Sequence, residues 1–291
     1  MAHPLLAVPM GAICGTLGAY LWNAEIDTAV AVNNWTLSTN LYPPLNSRLL
    51  RQWIEEAQQR WPRHAIWFRS LNNRYTPDWL AELAGLGCEL IPSRQVYLYD
   101  RIDLSPSAPA NLRRDLKLLR GRRHEVIEAD SWCPADFERA AVLYEMLYMD
   151  KYSRLNPHYG AAFLRAWHAA GLLHLMGSRG ESGELEAVVG VFGSGTTLTA
   201  PIVGYDTASP PRRGLYRLLM AAVFELAAAS GQRINLSAGA AQFKRLRGGI
   251  ASIEYSAVYV RHLPRYRQRA IRLLSRLATS LGEPLMRHFQ W

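Results

Sequence analysis

Val203–Leu219 reads VGYDTASPPRRGLYRLL, and a short way downstream Ile234–Gly249 reads INLSAGAAQFKRLRGG. In the first stretch an apolar run ends on Tyr205-Asp206, a turn follows, and Arg212-Arg213-Gly214 opens a segment where Leu215, Leu218, Leu219, Ala222 and Leu226 recur at helical spacing. In the second, a short strand over Ile234–Leu236 runs into small residues and a helical turn over Ala240–Leu246. Strand, basic glycine loop, helix, strand and short helix make an α/β arrangement. The start of a helix presents N–H groups without intrahelical partners and the positive end of the dipole. With Arg212 and Arg213 beside it, that start suits a phosphate, and Gly214 lets backbone approach the anion closely. An exposed loop with an ordinary glycine explains the same residues, and both readings stand at this point.

Working outward, Leu172–Ser178, Leu185–Phe192 and Thr196–Tyr205 read as three successive strands, and Ile253–Val260 as another. Helices are expected over Pro134–Met149, Tyr159–Ala170 and Pro264–Leu281. The first third reads as a hairpin (Leu17–Asn23 and Thr28–Leu37), a helix from Ser47 to Pro62, a strand over Ala65–Arg69, a helix from Thr76-Pro77, and strands over Cys88–Ile91 and Gln95–Asp100. This predicts a division into an N-terminal half over 1–104, a basic linker over 105–131 and a C-terminal half over 132–291 that ends in a basic helix.

The 291 residues carry 33 lysines and arginines against 24 acids, a net charge of +9. Only Lys117, Lys151 and Lys244 are lysines, so 33 − 3 leaves 30 arginines. With 49% hydrophobic residues, this is neither a disordered basic tail nor a lysine-rich nucleic-acid coat. Cys14, Cys88 and Cys133 are odd in number and far apart, which excludes a cysteine metal cluster and suggests reduced thiols in the cytoplasm. No Lys or Arg precedes Arg48, as a secretory leader would require, and Pro9, Gly11, Gly15 and Gly18 break the apolar stretch from Leu5 to Trp22. Buried strands are expected there rather than a membrane anchor.

The GYD strand end, the RRG loop and the FKRLRGG segment, in that order, resemble the GNAT acyltransferase superfamily, and within it the branch of Fem peptidyltransferases and CelD-like acetyltransferases. The resemblance covers roughly Phe137–Tyr259, and the first third matches only in element order. It implies two GNAT-like halves, each a mixed, mostly antiparallel sheet flanked by helices. The family's pyrophosphate loop falls on Arg212, Arg213, Gly214, Leu215 and Tyr216, with one glycine kept and Tyr216 in the second small position. Phe243 stands where many relatives carry a tyrosine that protonates the leaving thiolate. The Fem-like F-K-x-x-F/W-G pattern is met by Phe243, Lys244 and Gly248, with Arg247 replacing the aromatic, and implies that Lys244 lies near the transfer centre or the donor's phosphates. From the residues alone, Lys244 is equally a solvated lysine.

An amine attacking a thioester or ester needs orientation, an oxyanion donor and a proton acceptor. Asp206, Glu254, Asp150 and His158 are the acid–base candidates, and Lys244, Asp206 and Glu254 form the expected catalytic set. Tyr152, Asn156, Tyr159, Tyr205, Asn235, Ser237 and Phe243 are the expected substrate contacts, although Tyr148–Tyr159 also reads as a helix end. No metal and no resident cofactor are expected; acyl-CoA or aminoacyl-tRNA would serve as cosubstrate. Arg113–Arg123 and the Arg265, Arg269, Arg272, Arg276 stripe suit tRNA, coenzyme A phosphates, an acyl-carrier protein or anionic lipid, or are simply solvated faces. The sequence is compatible with three functions: N-acyl transfer from a thioester to a small-molecule amine, aminoacyl transfer from charged tRNA, and a non-catalytic module docking on RNA or a membrane surface.

Overall fold

The computed structural model describes residues 15–289, without the side chains of residues 150, 152 and 289. Cys14 and the side chains of Asp150 and Tyr152 therefore lie outside the described part of the chain. The chain forms two compact units: Met1–Asn34 with Pro44–Gln95 and Ile253–Trp291, and Trp35–Pro43 with Val96–Ser252. This differs from the linear division. The C-terminal tract joins the first unit because its strand pairs there, and the 105–131 segment is no linker.

In the first unit a helix, α1, runs over 15–23 where a strand was expected, and only Ala29–Ala31 (β1) of the proposed hairpin is extended. β1 runs parallel to β2 (Ala65–Asn72), which pairs antiparallel with β9 (Ile250–Tyr259) through Ile66↔Tyr259 and Phe68↔Ala257. β3 (Glu89–Tyr99) is one strand, not two. Helix α2 (Ser47–Arg60) starts where the side chain of Asn46 accepts the Leu49 N–H at 3.1 Å, and buries Leu50, Ile54 and Ala57 at four- and three-residue spacing. Helices α3 (Pro77–Gly85) and α9 (Arg265–Leu277) complete the layer, with Ile271 of α9 buried against Ala65, Ile91 and Val258.

The second unit is built on a mixed sheet. The end of β3 pairs antiparallel with β8 (Arg233–Asn235), β8 lies parallel to β7 (Thr197–Tyr205), and β7, β6 (Leu185–Ser194), β5 (Leu173–Arg179) and β4 (Val126–Glu128) follow antiparallel. Both faces are covered, so β6 and β7 are apolar without alternation. Val189, Val191 and Val203 meet α4 (Ala110–Gly121) and α7 (Leu215–Ser230); Val188, Phe192 and Ile202 meet α5 (Pro134–Glu145) and α6 (Ala161–Ala169). The basic segment is thus a core helix, with Leu112, Leu116 and Leu119 buried beneath its arginines. Gly204 is the point of closest approach to α5: a Cβ there would lie 2.5 Å from the carbonyl carbon of Leu143 and the nitrogen of Tyr144. Only glycine lets the strand end reach the helix backbone.

Candidate acyl-transfer site

β7 and β8 part. Their ladder holds only at Thr197↔Arg233 and Leu198↔Ile234, while β7 continues to Tyr205 along β6. What turns the chain away after β8 is local: Asn235 Oδ1 accepts the Ser237 N–H at 2.9 Å, and Ser237 and Ala240 take left-handed backbone angles, φ +60° and +46°. The short helix α8 (Ala241–Arg245) comes next.

Beyond the end of β7 stands an aromatic wall. The rings of Tyr205 and Tyr216 have centroids 6.4 Å apart, and Tyr216 meets Phe243 edge-on at 4.7 Å. The Arg247 guanidinium carbon sits 3.4 Å from the centroid of Phe243, a cation–π contact. Arg247 is held by Asp115, a fully buried carboxylate of α4: Oδ2 accepts from Arg247 Nε at 2.5 Å and Oδ1 from Arg217 Nε at 2.6 Å. One carboxylate thus ties α4 to the first turn of α7 and to the chain just after α8. From a π-helical segment over Met146–Tyr152, Lys151 Nζ reaches to 3.4 Å from the Tyr205 hydroxyl.

The loop before α7 is largely self-contained. Pro210 and Pro211 have no N–H, the Arg213 N–H donates to the Pro210 carbonyl at 2.9 Å, and that of Gly214 to the Pro211 carbonyl at 3.1 Å. Gly214, at φ +60°, holds a conformation that favours glycine. Arg213 faces inward: its guanidinium bonds Glu186 at 2.5 Å and Glu125 at 3.3 Å, and the Glu186 hydrogen bonds push its pKa up. Arg122 bonds both Glu125 and the Arg213 carbonyl. Arg212 is exposed. Asp206 organises the turn, with Oδ1 accepting the Ala208 N–H at 2.9 Å and Oδ2 lying 3.3 Å from Arg139 Nη2.

Lys244 is buried at 4% exposure, with its ammonium donating to the carbonyls of Leu236 (2.7 Å), Ser237 (3.2 Å) and Ala238 (2.8 Å). Three donors on three acceptors make it a positioning residue for the turn after β8. It is not a solvated lysine.

The structure therefore gathers Tyr205, Tyr216, Phe243, Asn235, Ser237 and Lys244 around the parted strands, with Arg212, Arg213, Gly214 and Asp206 in the adjoining loop. Tyr159 is elsewhere, buried in the α5–α6 core with its hydroxyl on the Thr36 carbonyl at 2.7 Å. Asn156 Nδ2 caps the π-helical end through the carbonyls of Tyr148 and Ser153. His158 lies 3.7 Å from Glu145 on the surface. Glu254 belongs to the first unit, buried and ion-paired with Arg94 at 2.7 Å. Asp115 and Arg217 have no place in the sequence-based expectations, where Arg247 stands only as a departure from the Fem-like pattern. Asp115 had a visible signal, since it shares the buried face of α4 with Leu112, Leu116 and Leu119. Among the described residues no group of His, Cys, Asp and Glu could hold a metal ion.

The family model described as "Acetyltransferase (GNAT) domain" matches residues 107–245, the tract that carries the parted strands, the loop and the wall. This tract is similar to a GNAT acetyltransferase domain. No curated protein matches the chain by sequence. Among solved structures, the fold is shared with the C-terminal domain of a protein assigned as a lysylphosphatidylglycerol synthetase from Agrobacterium fabrum (TM-score 0.56, 16% identity, 78% of this chain and 76% of that one). L-PGS from Bacillus licheniformis gives a TM-score of 0.53 at 11% identity over 78% and 77% of the two chains. FemX gives 0.55 at 11% identity over 79% and 80%. At these identities the likeness is one of fold. No helix among the described residues is long and apolar enough to cross a membrane.

Proposed function

We propose that the domain forms an amide by moving an aminoacyl group from the terminal ribose ester of a charged tRNA to the amine of a small molecule. The observation that carries this reading is the closed loop before α7. A coenzyme A pyrophosphate is held by backbone N–H groups of such a loop, and here those of Arg213 and Gly214 are spent on Pro210 and Pro211. Beside the loop, the partly exposed rings of Tyr216 and Phe243, the latter backed by the buried Arg247 guanidinium, offer an aromatic surface of the kind on which a nucleobase stacks. A terminal adenosine needs that surface and no pyrophosphate cradle.

The amine attacks the ester carbonyl, the C–N bond forms, the C–O bond breaks and the ribose oxygen leaves with the proton shed by the amine. Backbone N–H groups of β7 beyond its short ladder with β8 would stabilise the oxyanion. The Tyr205 hydroxyl, beside Lys151, is assigned to the proton path.

A second reading, acyl transfer from a thioester such as acyl-CoA, is favoured by the acetyltransferase description of the matching family model and by the first turn of α7, whose N–H groups have no intrahelical partners. Thermal unfolding with ligand separates the two. A non-hydrolysable aminoacyl-adenosine amide at 100 times its Kd is expected to stabilise by about 2.7 kcal/mol, a shift of several degrees, while coenzyme A at the same concentration gives none. Stabilisation by coenzyme A alone overturns the tRNA reading.

A further inference from the structure

The first unit holds 14 arginines and 9 acids, and 14 − 9 gives +5. Helix α9 has 5 arginines and no acid, so without it the unit is neutral. Its entire excess charge sits on one helix.

One of the five is structural. Arg267 is buried and bonds the carbonyls of Ala24, Glu25, Thr28 and Arg63, fastening α9 to the segments before β1 and β2. The other four, Arg265, Arg269, Arg272 and Arg276, are exposed on the face opposite Ile271 and Leu274. Arg272 touches Gln268 at 2.9 Å and lies 3.5 Å from Glu89. Among the described residues no carboxylate lies within ion-pair distance of Arg265, Arg269 or Arg276.

This arrangement costs stability on its own. Arg265/Arg269 and Arg272/Arg276 are like charges one turn apart, Arg269/Arg272 are three apart, and each such pair destabilises a helix by roughly 0.2–0.5 kcal/mol. The N-terminal turn carries Arg265 and no acid, so it sets a cation against the positive end of the helix dipole. A solvated face would be as soluble with acids interspersed. A line of guanidinium groups, three of the four without a carboxylate within ion-pair distance among the described residues, is relieved by a polyanion.

We infer that α9 is a docking rail for the phosphate backbone of an RNA. The four arginine stems span about 16 Å at steps of roughly 4.5–6 Å along the axis, a single file suited to successive phosphates of one strand rather than a broad basic patch. Arg is the side chain that grips phosphate bidentately. Tyr266 and Leu273, 51% and 38% exposed, flank one edge of the file. The buried opposite face leaves no apolar stripe for insertion into a bilayer, which favours RNA over an anionic membrane. The identity of that RNA as the donor rests on the proposed aminoacyl transfer; the rail does not.

The test uses the full-length protein and deacylated bulk tRNA in filter binding across a salt series. The quadruple variant Arg265→Gln, Arg269→Gln, Arg272→Gln, Arg276→Gln is expected to lose roughly 100-fold in affinity at low salt, and its log–log salt slope to fall by about 3, as four lost phosphate contacts require. The corresponding quadruple Arg→Lys variant retains most of the binding. Removing mutual repulsion leaves the melting temperature of the Gln variant equal or higher, so lost binding is not lost fold. Wild-type affinity and slope in the Gln variant overturn the rail. So does RNA-independent binding to phosphatidylglycerol vesicles, lost in the variant, by a protein that does not bind tRNA. Transfer from charged tRNA with an unchanged KM in the Gln variant removes the rail and keeps the proposed function; tRNA binding on the rail with coenzyme A as the only donor does the reverse.

Discussion

Asp115→Ala is the most informative single perturbation of the site. The carboxylate is fully buried and shared by Arg247, 6% exposed, and Arg217, 44% exposed. Cutting it back to a methyl strands the Arg247 guanidinium in the interior, and removing one partner of a buried ion pair costs about 3–5 kcal/mol. The Arg217 side, half in water, adds little. At roughly 2–4 °C per kcal/mol, the calorimetric transition of the unit containing Asp115 falls by roughly 6–20 °C. The double variant Asp115→Leu, Arg247→Met removes both charges and replaces them with apolar groups of similar size. It is expected to recover most of the loss, because a buried pair is about neutral against a well-packed hydrophobic substitute. Activity separates from stability here. The double variant melts near wild type but lacks the guanidinium over Phe243, so it loses donor affinity. A loss below about 1 kcal/mol in Asp115→Ala, or a double variant no more stable than the single one, refutes the role of Asp115 as the tie between α4, α7 and the chain after α8.

Gly204→Ala drives a methyl into the α5 backbone, with 2.5 Å to Leu143 and Tyr144, and is expected to cost roughly 1–3 kcal/mol or more in a denaturant titration. Lys244→Met empties three carbonyls of their donor, so transfer drops at least about 10-fold and hydrogen exchange of Leu236–Ala240 speeds up, whereas a solvent-facing lysine would change neither. Burial pushes the Cys88 thiol up to about 12, while Cys133 is exposed, so in a Cys14→Ser background a thiol reagent at about pH 8 titrates one cysteine in the native protein and two after unfolding. Arg179 beside Asp136 holds that carboxyl below the usual range, so its contribution is full above about pH 4 and is lost as the pH falls through the native value; the stability gap between wild type and Asp136→Asn is level at about pH 6–7 and closes in acid.

The second unit was the more legible in sequence. Its strands are long apolar runs with turn residues between them, and α7 has a clear 3.6-residue period, so β5 to β8 and the RRG loop fall where expected. The first third misled because α1 has apolar residues on most sides, which gives no period to separate helix from strand. The basic linker misled because six cations on a surface outweighed three leucines beneath them. At the site, the family resemblance singled out Tyr205, Tyr216 and Phe243 one by one, but the sequence could not show that their rings meet, that Tyr159 turns into a core or that Glu254 pairs with Arg94. The last two outcomes depend on contacts 123 and 160 residues apart in sequence. The Fem-like resemblance points to Lys244 at the transfer centre or the donor's phosphates, and the structure shows it as the donor that holds a turn with left-handed residues.

The central claim is the nature of the donor. Purified protein is incubated with tRNA carrying a radiolabelled amino acid and a pooled set of amines, with labelled acetyl-CoA in a parallel reaction. Aminoacyl transfer predicts label in an amide product from the tRNA reaction, abolished by ribonuclease treatment of the donor and reduced by Phe243→Ala, with no product from acetyl-CoA. Amide formation from acetyl-CoA, with none from charged tRNA, contradicts it.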